Sequence, residues 1–381
     1  MIRELFNLSN MTAVTCLLVT VSCVPVAGQV AVSESDPGVV VELIDLLDSP
    51  DFGERIRAEK QVRSLGDAAI GPLREAEKVA AVGLRERIRV ILKELERNSF
   101  DGRLAALQDQ PSKSAAALLP MWERFAAVVG DDEQAITFYI RLLQAERGLF
   151  AAVESQSGSV TELLEQRASS VLQSTRPSPE PREKFSADSF AALLLLCGDE
   201  RVRLGSASTA VSSVLLYDPF LAALQDGSAE SVFLERLAGS YILRDRIAPA
   251  RPLTFVRRHP LPEGLMLAHR VLQSLRGTNG LFALMVIAEQ GDADDVPSLE
   301  KVFDNRGILI RQGTLYSVTN GDLAMCVAIR LRGADPRDFG FAPGVDRTVP
   351  FVFAPETAGF RSDEDRRQAR EKYRTAFQAA E

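Results

Sequence analysis

Apolar residues return at helical spacing through most of this sequence. Val40, Leu43 and Leu47 share one helical face with Ile44 beside them, and Ala58, Val62 and Leu65 stripe the segment that follows. Between the two, Ser49-Pro50-Asp51 ends one predicted helix and starts another, Pro setting the first turn and Asp favouring its positive end. A shift of thirty positions brings the pattern back: Val40 falls on Ile70, Leu43 on Leu73, Phe52 on Val82, Ala58 on Ile88 and Val62 on Leu92. Helix pairs that repeat in this way bury between them a core that neither buries alone.

Downstream, amphipathic helices are predicted over residues 112–129, 131–147 and 159–174. Residues 173–184, QSTRPSPEPREK, carry three alternating prolines and no apolar residue. They read as an extended linker and a domain boundary. Residues 190–197 and 281–288 are apolar nearly all round, the signature of fully buried helices, and residues 307–319 are β-prone and suit a small hairpin. The dipeptide Gly-Asp recurs at Gly66, Gly130, Gly198, Gly291 and Gly321, each time between apolar-periodic segments. Gly ends a helix by accepting the left-handed conformation and Asp caps the next, so five such hinges predict a chain of helical hairpins. Residues 335–360 lose the helical period. Phe339, Phe341, Phe351, Phe353 and Phe360 there are expected to bury against the last helices, before a terminal helix capped by Ser362.

Composition adds little chemistry. Apolar content of 46%, charged content of 25% and a net charge of -8 describe an ordinary globular chain without the basic footprint of a nucleic-acid binder. Residues 11–28, MTAVTCLLVTVSCVPVAG, form a short apolar run with a Pro and a small-residue exit, which suits a cleaved signal peptide better than a membrane span. A lipid anchor at Cys23 is the second reading, with Thr20 standing where such a signal favours Leu. Cys197 and Cys326 both sit inside apolar helical patterns and read as buried small hydrophobes.

No catalytic motif, metal site or cofactor site emerges. The two histidines, His259 and His269, are too few for a zinc site, and His269 lies beside an apolar helix face as a structural residue. Asp292, Asp294 and Asp295 lack the Gly and distal Glu of a calcium loop and read as a helix start. The candidate binding residues are Arg55, Arg57, Arg85, Arg87 and Arg89, which recur in the repeat register. Two readings stand: a face of planar donor forks for carboxylates or acidic glycans, or an Arg–Asp ladder using Asp48, Asp51 and Asp67.

The stretches LLDSPDFGERIRAEKQVRSLGDAAIGPL and LRERIRVILKEL resemble HEAT and HEAT-like repeats, with the Asp-Pro-type turn, the early Arg, the small Ala58 and the Leu-Gly exit. The layout as a whole resembles secreted bacterial HEAT-repeat proteins of unknown role, through LPMWERFAAVVGDD, DPRDFGF and ETAGFRSDEDRRQA. That resemblance implies an α-solenoid that binds other proteins, and no catalysis. The expected fold is therefore mostly α, an α-solenoid of HEAT-like hairpins with a second helical domain and an irregular aromatic tail. The expected division is a signal peptide (1–28), tether (29–38), HEAT-like repeats (39–98), helical extension (99–172), linker (173–184), second helical domain (185–334), and tail with terminal helix (335–381). The expected role is an exported scaffold for protein–protein interaction in the periplasm or cell envelope. An envelope hydrolase with paired carboxylates and a purely structural component are the alternatives.

Overall fold

The Asp51 side chain accepts a hydrogen bond from the Glu54 N–H, and the second helix starts there because Pro50 cannot continue the first. The protein is described from a computed structural model over residues 37–156, 160–175, 185–244, 247–275, 278–312, 316–342, 348 and 351–377. The expected signal peptide, nearly all of the tether and most of the Pro-rich linker lie outside the described residues. The protein is mostly helical, with twenty α-helices and one two-stranded sheet among the described residues.

The chain divides into two units after Glu96. The first contains α1 (Pro37–Leu46), α2 (Phe52–Ser64), α3 (Asp67–Val79) and most of α4 (Val82–Asn98). Here α1 packs on both α2 and α3. Leu47, Ala58, Val62, Leu73 and Ile88, all taken from the apolar stripes, lie in its core at no measurable exposure.

The second unit begins with α5 (Phe100–Asp109), α6 (Lys113–Ala116), α7 (Trp122–Val128), α8 (Glu133–Ala145), α9 (Arg147–Glu154) and α10 (Val160–Ser174). It continues through α11 (Ala187–Gly198), α12 (Ala207–Val214), α13 (Asp218–Leu224), α14 (Ala229–Ile242), α15 (Ala250–Arg258) and α16 (Pro262–Leu272). It closes with α17 (Thr278–Gln290), α18 (Val296–Glu300), the antiparallel hairpin β1 (Ile308–Gln312) and β2 (Tyr316–Thr319), α19 (Asn320–Leu331) and α20 (Asp363–Phe377). One continuous core runs from Phe100 to Tyr373, and α10 packs on α12 across residues 173–184. The expected boundary at the Pro-rich segment thus separates no cores, because the helices on either side of it bury each other. Helices α11 and α17 are buried as their apolar runs predict.

Three expectations are corrected. Residues 112–129 are not one helix, since Pro120 lacks an N–H and Met121 takes the left-handed conformation at φ 68°, splitting α6 from α7. Only Gly66 and Gly130 of the five Gly-Asp glycines have positive φ. Of the five aspartates, Asp292 caps the turn that follows it. Before α8 the cap is Asp132, and Asp322 lies inside α19, where Thr319 is the cap.

The aromatic tail folds back onto the second unit. Phe339 stacks on Phe377, Phe341 packs on Phe360, and Phe360 exchanges backbone hydrogen bonds with Ser317 beside β2. Phe351 and Phe353 stay half-buried, with Arg337 and Arg330 over their rings. No single helix among the described residues is long and apolar enough to cross a membrane.

Candidate functional site

Three of the five repeated arginines, Arg55, Arg85 and Arg87, reach backbone carbonyls at the turns between helices. Arg55 donates to the carbonyls of Ser49 (2.7 Å) and Pro50 (3.0 Å) and lies 5.5 Å from the centre of the Phe52 ring. Arg85, its equivalent in the repeat, donates to the carbonyl of Ala80 at 2.7 Å, the cap of α3. Arg87 donates to the carbonyl of Leu47 just past α1. Carbonyls left unpaired at or just past a helix C-terminus attract cations, which accounts for the Arg85 and Arg87 contacts, while Arg55 holds the loop between α1 and α2. Arg89 is exposed and bonds Glu77 and Glu86, each at 2.7 Å, while Arg57 is exposed and lies close enough to Asp51 to help hold its carboxyl below the usual range, behind the larger effect of the Glu54 and Gly53 N–H groups. Among the described residues no ion pair joins these arginines to Asp48 or Asp67. Three of the five are therefore occupied by backbone, and no single cationic face is assembled from them.

The first unit also exposes large apolar side chains. Val79 is 85% exposed, Val82 74% and Phe52 69%, and Val41, Leu46, Ile56 and Val90 join them. These seven belong to the smaller unit, yet they make up most of the thirteen large apolar side chains exposed among the described residues. Phe52 and Ile56 stand one turn apart on one side of α2. Phe52 and Val82 open α2 and α4 at equivalent positions of the repeat. In the same unit Arg74, Glu77, Lys78, Arg89, Lys93 and Glu96 border a charged depression of about 390 Å³, where Arg74 bonds Glu96 at 2.7 Å. Exposed apolar side chains and ion-paired polar groups are the kinds of residue from which a protein-contact surface is built. The thirty-residue register contained this signal in Phe52 and Val82, but an apolar residue in a stripe reads as core until burial is known.

The second unit holds a cavity of about 610 Å³. Four chain segments converge on it: Pro120 and Met121 before α7, the end of α9, the start of α10, and Asp199 to Arg203 after α11. The buried Asp199 carboxylate accepts from Arg201 Nε at 3.0 Å and Nη2 at 2.6 Å, and from the Arg201 N–H at 2.8 Å. Burial alone would push the Asp199 carboxyl up; the hydrogen bonds from Arg201 outweigh it and hold it below the usual carboxylate range. Glu154, also on the wall, is bonded by Arg103 at 2.5 Å. The Pro120 carbonyl accepts from the buried Tyr139 hydroxyl at 2.5 Å.

His259 and His269 are bonded to Glu235 (2.8 Å) and Asp295 (2.6 Å), and among the described residues no group of three or more His, Cys, Asp or Glu side chains is placed to hold a metal ion. No protein-family model, curated protein or solved structure matches the chain.

Proposed function

We propose that this protein is an exported helical-repeat scaffold that binds protein partners in the cell envelope. In this reading the first unit is a short HEAT-like solenoid, and its exposed apolar side chains make the contact. The observation that carries the reading is that seven of the thirteen large apolar side chains exposed among the described residues, Phe52, Ile56, Val79, Val82 and Val90 among them, belong to this one small unit. The three buried acids among the described residues, Glu146, Asp199 and Asp322, are each bonded by an arginine, which supports a binding role over a hydrolase with a carboxylate pair.

The test is cross-linked capture from native envelope material with the wild type and with a Phe52→Asp/Val82→Asp variant. Both side chains face solvent, so the helical circular dichroism is expected to stay unchanged while the captured partner is lost. Undiminished capture by the variant removes the apolar surface from the proposal. Absence of any partner above background with the wild type removes the scaffold itself.

A further inference from the structure

We infer that the 610 Å³ cavity of the second unit is a binding site for a carboxylate carried on a compact apolar body. Its volume falls in the range of small-ligand sites, roughly 300–1,000 Å³. Met121, Val153, Val160 and Val202 supply the apolar wall. The charges on the lining are mostly answered. Glu154 is bonded by Arg103, and Asp199 holds one whole edge of the Arg201 guanidinium, with Glu123 adding a further negative charge near Arg201.

Arg203 differs from these. It is exposed, lines the cavity and has no bonding partner among the described residues. A free guanidinium at the mouth of a cavity with an apolar wall matches the planar, two-oxygen geometry of a carboxylate. The backbone gives a second, independent indication. Met121 (φ 68°) and Gln156 (φ 50°), two of the three non-glycine residues with positive φ among the described residues, both line this cavity. Such conformations are strained for residues with a side chain and gather at ligand clamps. At Met121 the strained backbone sets a long, polarisable side chain on the wall, a type that adapts to varied apolar shapes. This site is separate from the apolar surface of the first unit and does not depend on it.

A carboxylate on an apolar stem is offered by a peptide C-terminus or by a free fatty acid. Calorimetry of the full chain with N-acetyl-Val-Leu, its C-terminal amide and octanoate distinguishes the two sources. Trp122, the only tryptophan, adjoins Met121 and reports locally through its emission. Saturable binding of the acid dipeptide but not the amide is expected for a peptide end, and binding of octanoate alone for a fatty acid. Arg203→Gln removes a solvent-facing side chain without a partner, so the fold is retained. Affinity for whichever acid binds is expected to fall about tenfold or more. Equal affinity for acid and amide, wild-type affinity in Arg203→Gln, or no saturable binding of any probe up to millimolar concentration overturns the assignment.

Discussion

Asp199 shows how one side chain ties the fold to pH. Its folded value lies below its unfolded one, so its contribution to stability is present above about pH 4 and is lost as pH falls through the depressed value. Asp199→Asn is expected to cost about 1 kcal/mol at pH 7, near the low end for a charged pair because Arg201 faces solvent. Thermal melts of both proteins should converge on acidification toward pH 3, and a difference that persists there contradicts this account. The cysteines behave oppositely. Burial pushes the Cys197 thiol up to about 12 and raises Cys326 as well, so neither forms a thiolate near neutral pH. Peptide mapping after alkylation should find both unmodified in the native protein and modified in denaturant. Rapid native labelling of either would show that its helix opens.

At the scale of elements, most helices were legible because burial of one face requires an apolar stripe, as in α2 and α8, and burial all round requires a continuous apolar run, as in α11 and α17. Their ends were less legible. Gly-Asp marks a junction at Gly66 and Gly130, but the capping oxygen comes from whichever Ser, Thr or Asp the backbone aims at the free N–H groups. Helix C-termini are closed by arginines distant in sequence: Arg236 on Val129, Arg124 on Gly198, Arg244 on Cys197 and Arg270 on Leu243. Partners tens of residues away leave no local pattern, and even the short-range contacts of Arg55 and Arg85 are to backbone carbonyls, which no side-chain motif marks; neither a ligand face nor an Arg–Asp ladder anticipates them. The cavity wall was hidden for the same reason, since four separate segments build it. The last helix depends on one such contact. Arg366 of α20 donates to the fully buried Asp322 at 2.6 and 2.9 Å. Arg366→Met leaves that carboxylate buried without its cation and is expected to cost about 3–5 kcal/mol. Adding Asp322→Asn should restore part of it in a double-mutant cycle, and simple additivity would mean that the pair is not coupled.

The described residues form two cores of unequal size that share no buried residue. The core of the first unit draws on four helices over residues 37–96, and a unit of this length rarely gains more than about 3–5 kcal/mol from one hydrophobic core. The second unit buries a continuous interior from Phe100 to Tyr373 and has far more apolar area to lose on unfolding. Leu73, fully buried in the smaller core, is therefore a decisive position. Leu73→Ala is expected to cost about 2–5 kcal/mol, enough to consume most of the stability of the first unit. Hydrogen exchange should then show loss of protection confined to residues 37–96, with the amides of α11 and α17 as protected as in the wild type. Leu195→Ala, in the larger core, should lower the melting of the second unit and leave the protection of α2 and α3 in place. If either substitution exposes both units together, the two cores unfold as one cooperative body and the division after Glu96 has no energetic meaning.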